Sequence, residues 1–142
     1  MTHLFLGTSL STALLAIASV ALGAALGGAL RYTLAELAVA WRESKLPGTW
    51  TANMAACLVA GIAVTAWSQV PSSSESVRPA LAYAAVMIGF AGGLSTWSTL
   101  AGELVRLRSQ HIWRGLSYLI LTVVGGAIFA YMGMSLPPLV TN

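Results

Sequence analysis

Four long apolar segments, separated by short polar stretches, make up most of the chain. They lie at about residues 10–40, 48–69, 80–107 and 112–136. An α-helix needs about 20 apolar residues to cross the hydrocarbon core of a bilayer, so each segment is long enough to span a membrane. The pattern predicts an all-α, multi-pass cell-membrane protein, organised as a single four-helix domain over residues 1–142.

The third segment is interrupted in its middle by the glycine-rich stretch 89–100. This stretch contains three glycines and four hydroxyl residues but no charged residue. Irregular backbone at membrane depth is tolerated where protein buries it or where it lines a polar cavity. We therefore predict a third helix that is broken mid-membrane, with its loosened carbonyls and hydroxyls at the functional centre.

The composition excludes most soluble functions. Charged residues make up only 8% of the chain and hydrophobic residues 57%, whereas soluble domains carry roughly 25% charged residues. The only histidines, His3 and His111, lie near predicted membrane boundaries, so the central serines have no evident base for nucleophilic chemistry. Cys57 is the only cysteine and is predicted to be a packing residue. No catalytic residue and no enzyme activity are predicted.

The basic residues are distributed unequally between the loops. The first and third loops, with their flanks, carry five of them, whereas the second carries only Arg78. The positive-inside rule places the first and third loops in the cytoplasm and both termini outside. Because these charges are scattered over helix ends, they do not form the clustered face that nucleic-acid binding requires. The five are Arg42, Lys45, Arg106, Arg108 and Arg114.

A few polar side chains lie inside the predicted spans. Arg31 costs roughly 2.5–3.5 kcal/mol to insert, so it should face a watery cavity or a partner, or else snorkel to the interface. Asn53 lies one turn after Thr49. Its amide offers two donors, which suit either a ligand or an interhelical hydrogen bond. Tyr118 and Thr122 are four residues apart and share one stripe of the fourth helix.

Three separated motifs resemble those of the Fluc/CrcB fluoride channel family. The first is Gly-Gly-Ala-Leu-Arg-Tyr at 27–32, and the second is Gly-Thr-Trp-Thr-Ala-Asn at 48–53. The third is the stretch 89–100, Gly-Phe-Ala-Gly-Gly-Leu-Ser-Thr-Trp-Ser-Thr-Leu, followed by Glu103. The resemblance extends over essentially the whole chain, including its size and its four spans.

The resemblance implies an antiparallel dimer of dual-topology type with two pores, embedded in membrane lipid. The backbone carbonyls of Gly92 and Ser95 would hold a structural sodium ion at the dimer interface. Asn53 would donate to fluoride, and Arg31 and Thr49 would lie towards a vestibule. The fluoride pathway implied in this way consists of Asn53, Trp97, Leu100, Tyr118, Thr122, Thr49 and Thr99, with Arg31 and Glu103 in vestibule or structural roles.

Two pathway positions depart from the family pattern. Trp97 and Leu100 stand where the family has phenylalanines, and Leu94 and Ser95 replace Phe and Thr. An aromatic ring presents a positive edge to an anion. Trp97 keeps such an edge and adds an N–H donor, whereas Leu100 offers neither. The anion pathway should therefore be altered at Leu100.

The implied function is passive export of fluoride from the cytoplasm, which confers fluoride resistance. One alternative is a subunit of a two-chain, heterodimeric fluoride channel that conducts partly or not at all alone. Homodimer and heterodimer both remain open. A remote alternative is a small multidrug exporter, which needs a carboxylate deep in the first helix. Glu36 lies only about four residues from the end of that segment.

Overall fold

The computed structural model describes residues 2–71, 77–110 and 112–136, and the side chains of these residues except 2–9, 109 and 110. His111 and the side chain of His3 thus lie outside the described part of the chain. The described part is all-helical and contains four helical segments that are long and apolar enough to cross a membrane. This confirms the predicted fold class.

Three of the spans are continuous helices. Helix α1 covers Thr2–Arg42, α2 covers Leu46–Ser68 and α6 covers Ile112–Ser135. The bounds of α2 and α6 agree with the predicted segments to within two residues. Helix α1 begins earlier than the predicted residue 10, because the apolar pattern continues towards the N-terminus without a proline to end the helix.

The third span is assembled from several pieces. Helix α3 (Arg78–Tyr83) continues into a π-helical segment (Ala84–Ala91) and the short helix α4 (Gly92–Leu94). The backbone is extended at Ser95, with a ψ of 155°, and α5 then runs over Trp97–Gln110. The predicted interruption is confirmed. The π-helical segment was not predicted, since its widened hydrogen-bond pattern has no simple signature in composition.

Glycine contacts hold the helices at backbone distance. A Cβ added at Gly23 would overlap the carbonyl oxygen of Ala85, and one added at Gly27 would overlap that of Phe90. The two glycines therefore allow the backbones of α1 and the third span to lie in contact. A Cβ at Gly61 would likewise overlap a carbonyl oxygen of α6. Small residues permit such close approach where lipid supplies no hydrophobic driving force between helices. Gly23 and Gly27, four residues apart in α1, thus serve helix packing.

The buried core is small and lies beside the interruption of the third span. It consists of Ala52, Ala56 and Leu94, with Leu34, Ala55 and Phe90 packed against it. Leu94 is fully buried and immediately precedes the extended residues. Helix α2 is therefore packed against the break, and Asn53, which follows Ala52, is held next to it.

Candidate functional site

A groove of about 390 Å³ lies between α2, the interruption of the third span, α5 and α6. We call it the central groove. Five of the residues singled out from the sequence line it, although they lie far apart along the chain. They are Asn53, Ser95, Trp97, Leu100 and Thr122, which are joined by Thr96, Cys57 and several small or apolar residues of α6.

Asn53 connects α2 to the broken span. Its Oδ1 accepts a hydrogen bond from the backbone N–H of Thr96 at 3.1 Å, and the residue is only 7% exposed. The carboxamide oxygen thus makes the interhelical hydrogen bond. The two N–H donors of the amide belong to the other end of the side chain. Of the two alternatives from the sequence, the structure shows the interhelical hydrogen bond, and the ligand role of the amide donors stays a prediction.

Thr96 organises the restart of the helix and was not singled out from the sequence. Its Oγ1 accepts a hydrogen bond from the backbone N–H of Thr99 at 3.3 Å, the geometry of an N-cap for α5. The same hydroxyl donates to Thr99 Oγ1 at 3.2 Å and lies 3.1 Å from Ser98 Oγ. The known preference for threonine immediately before a helix was the available signal. Thr99 consequently serves the cap.

Two backbone carbonyls at the break have lost the donors of a regular helix. In an α-helix the N–H of Thr96 would bond to the carbonyl of Gly92, and the N–H of Thr99 to the carbonyl of Ser95. Here the N–H of Thr96 donates instead to Asn53 Oδ1, and the N–H of Thr99 donates to Thr96 Oγ1. Apart from Gly92 itself, its neighbours and the backbone of its own helix, no heavy atom of the described residues lies within 4 Å of a Cβ added at Gly92, so this surface is open.

Trp97 and Leu100 occupy contrasting positions in the central groove. Trp97 is 76% exposed, so its indole projects from the single chain. Leu100 is 3% exposed and packs into the bundle. The structure therefore places the departure from the family pattern at Leu100 in the wall of the groove and leaves Trp97 available for a further contact.

A second polar site lies where α2, α5 and α6 meet, and we call it the carboxyl cluster: Thr49, Glu103 and Tyr118. Thr49 Oγ1 donates to Glu103 Oε1 at 2.7 Å, and Tyr118 Oη donates to Glu103 Oε2 at 2.9 Å. Tyr118 Oη also lies 3.2 Å from the carbonyl oxygen of Leu46. Glu103 and Thr49 are both buried. The cluster links three helices.

The predicted stripe of α6 divides between these two sites. Thr122 lines the central groove, and its hydroxyl donates to the Tyr118 carbonyl at 2.8 Å. The Tyr118 hydroxyl instead faces Glu103. Two of the residues expected in one pathway, Thr49 and Tyr118, are thus hydrogen-bonded to Glu103. The others line the groove, except Thr99, which takes part in the N-cap of α5.

The first helix carries two more charged residues of interest. Within the part of the chain that the structure describes, the Nε atom of Arg31 is buried without a hydrogen-bond partner. Glu36 forms an ion pair with Lys45 at 3.7 Å, and both side chains are about half exposed. Glu36 therefore lacks the buried position that an exporter of the multidrug type requires.

The sequence of this chain is similar to those of known proteins. The family described as CrcB-like protein, Camphor Resistance (CrcB), matches residues 18–134. The Fluoride-specific ion channel FluC 2 of Corynebacterium diphtheriae is 41% identical over 118 residues, which is 81% of this chain and 94% of the relative. The Fluoride-specific ion channel FluC of Nitrosomonas europaea is 35% identical over 121 residues, covering 84% and 91% of the two chains. The matched range contains both the central groove and the carboxyl cluster.

Proposed function

The chain belongs to the CrcB-like family, and from that membership we propose that it is a fluoride channel which lets fluoride leave the cytoplasm down its gradient. It is a multi-pass membrane protein and a transporter rather than an enzyme. The observation that carries the proposal is the convergence of Asn53, Trp97 and Thr122 on one groove beside a broken helix.

The central groove has the chemistry that a fluoride pathway needs. Fluoride is small and strongly hydrated, so a pore must replace its water with donors and still bind weakly enough to release it. The amide N–H groups of Asn53 and the indole N–H of Trp97 are neutral donors of this kind. The groove's lining residues in the described part of the chain carry no charge that would trap the anion.

The carboxyl cluster positions the neighbouring part of the pathway. Glu103 holds the hydroxyls of Thr49 and Tyr118 by hydrogen bonds, and hydrogen bonds to a carboxylate are worth about 1.5–3 kcal/mol each. Glu103 therefore acts structurally, and Thr49 and Tyr118 continue the polar route beyond the groove. The buried, unpaired Nε of Arg31 is consistent with a vestibule in which water or a second subunit supplies its partner.

The break also suits a structural sodium ion. The described residues contain no group of three or more His, Cys, Asp or Glu side chains that would hold a metal, so a cation there would rely on backbone oxygens. The carbonyls of Gly92 and Ser95 fit this role, because their helical donors are directed elsewhere. When bound, the ion would add positive potential near the anion route. Purification in potassium instead of sodium should lower thermal stability; equal stability would count against sodium.

A second copy of the chain would complete both the cation site and the pore. The open surface at Gly92 and the 76% exposure of Trp97 support a partner on this face. A two-fold axis there would bring two pairs of carbonyls together. The alternative of a two-chain channel is favoured by Leu100 and by the loop charge bias, which would fix one orientation. Cross-linking of the singly expressed chain, together with its fluoride efflux, distinguishes a functional homodimer from an inert subunit.

Efflux from liposomes tests the central proposal. Purified protein is reconstituted into vesicles loaded with fluoride, and release is followed with a fluoride-selective electrode while an ionophore balances charge. We expect rapid fluoride release and little release from matched vesicles loaded with chloride. Fluoride release at the rate of protein-free vesicles, by a chain shown to be folded and dimeric, would contradict the proposed function.

A further inference from the structure

A second, smaller groove of about 320 Å³ lies between α5 and α6, outside the central groove. We call it the α5–α6 groove, and its lining is almost entirely apolar. Gly115, at which the helices approach each other, is buried, whereas Leu116 is 43% exposed along the groove. The lining residues are Leu104, Arg108, Ile112, Gly115, Leu116 and Leu119.

The groove runs inward from a membrane boundary. Arg108 lies in the last turn of α5 and marks the end of the third span, and Ile112 begins the fourth. Leu104 lies one turn from Arg108 and Leu119 two turns from Ile112, which corresponds to depths of roughly 6 and 10 Å at 1.5 Å per residue. A cationic mouth is therefore followed by an apolar floor that extends to the depth of lipid chains.

We propose that the α5–α6 groove binds an anionic phospholipid, with an acyl chain along the apolar floor and the phosphate at Arg108. Arg108 is exposed, and its guanidinium suits bidentate recognition of a phosphate. In a subunit oriented as the loop charges predict, the loop that joins α5 and α6 faces the cytoplasm, where anionic lipids give the membrane a negative surface potential. The proposal does not rest on fluoride conduction.

Arg114 provides a matched control for the charge. It lies at the same membrane boundary and is also exposed. It follows Ile112 by two residues, which places it about 200° around α6 and away from the groove. Replacing Arg114 removes the same net charge as replacing Arg108 but leaves the mouth of the groove intact. General attraction to an anionic surface would respond equally to both changes.

Lipid retention measured by native mass spectrometry tests the proposal. The full chain is equilibrated with phosphatidylcholine vesicles that contain a minority of phosphatidylglycerol, extracted in mild detergent, and its bound lipids are counted. We expect wild type to prefer phosphatidylglycerol. Arg108→Gln should lower that preference about five-fold, which corresponds to about 1 kcal/mol for one cation at the surface. Arg108→Lys should keep most of the preference, and Arg114→Gln should leave it unchanged.

A variant that fills the groove tests the acyl-chain contact separately. Leu116→Trp places a bulky indole ring along the partly exposed floor of the groove and should lower the retention of both lipids. Thermal unfolding is used to confirm that the variant is folded. Equal losses in Arg108→Gln and Arg114→Gln, or none in either, would overturn the proposal. So would a shift of the monomer–dimer equilibrium by Leu116→Trp without any change in bound lipid, because the groove would then be a protein interface.

Discussion

The central groove and the carboxyl cluster are both built from α2, α5 and α6, and the groove also includes the interruption of the third span. Their polar groups are nevertheless hydrogen-bonded in different ways. In the carboxyl cluster both oxygens of Glu103 accept hydroxyl donors. In the central groove the oxygen of Asn53 accepts a hydrogen bond from Thr96, and the residue also lines the cavity. Polar groups whose hydrogen bonds are made within the protein hold helices together, whereas hydrogen-bond donors that line a cavity can bind a passing ion.

The largest expected effect comes from removing the donors of the central groove without disturbing its hydrogen bond to the break. Asn53→Asp keeps an oxygen acceptor for the Thr96 N–H but replaces the amide donors with a second oxygen. Fluoride efflux should fall about 100-fold, since hydrogen bonds to a charged group are worth about 1.5–3 kcal/mol each. An ionised aspartate is also costly to bury at this depth, so we expect a lower unfolding temperature, and efflux is compared per folded protein. Efflux near the wild-type rate would remove Asn53 from the pathway.

The next effect falls on stability at the carboxyl cluster. Glu103→Gln keeps one acceptor oxygen for one of the two hydroxyls, Thr49 or Tyr118. At the second hydroxyl the acceptor oxygen is replaced by an amide N–H donor. We expect a loss of about 1.5–3 kcal/mol in the free energy of unfolding, with less than about a ten-fold loss of efflux per folded protein. Thr49→Val, which removes one hydroxyl, is the comparison variant. Abolished efflux at unchanged stability would show that the cluster conducts rather than supports.

A smaller effect is expected at Thr96, the N-cap of α5. Thr96→Val retains the backbone N–H bonded to Asn53 but removes the hydroxyl that caps α5. Loss of an N-cap costs about 0.5–2 kcal/mol, so the unfolding temperature should fall and efflux should drop a few-fold. Thr99→Val serves as the control, because its backbone N–H still reaches the Thr96 hydroxyl. Equal effects of the two variants would contradict the capping role.

The smallest effect concerns the wall of the central groove. Leu100→Phe restores an aromatic edge, worth about 0.5–1.5 kcal/mol, at a position that already lines the cavity. We expect efflux to rise about two- to five-fold. Leu100→Met conserves volume and controls for the loss of the leucine side chain without an aromatic ring. If the methionine variant conducts as well as the phenylalanine variant, the ring edge contributes nothing at this position.

Some features were predictable because they depend on local composition. The four apolar segments and the broken third helix both follow from residue type and spacing. The role of Thr96 had a local signal in the preference of threonine for helix N-termini, although it was not singled out. The π-helical segment Ala84–Ala91 had none, since it depends on how the third span fits against α1.

The sequence alone was enough to predict a membrane protein, the number of its spans and the position of the break in its third helix. The physical reason is that spanning helices must be long and apolar, and that unsatisfied backbone groups are unfavourable in lipid. Which polar side chains form hydrogen bonds with each other, and which line a cavity, became clear from the tertiary structure alone. Asn53 and Thr96 are 43 residues apart, and Thr49 and Glu103 are 54 apart. Their meeting depends on helix register, which close backbone contacts at glycines set. Thr49 and Tyr118 are thus hydrogen-bonded to Glu103. Asn53 is hydrogen-bonded to Thr96 at the interruption of the third span.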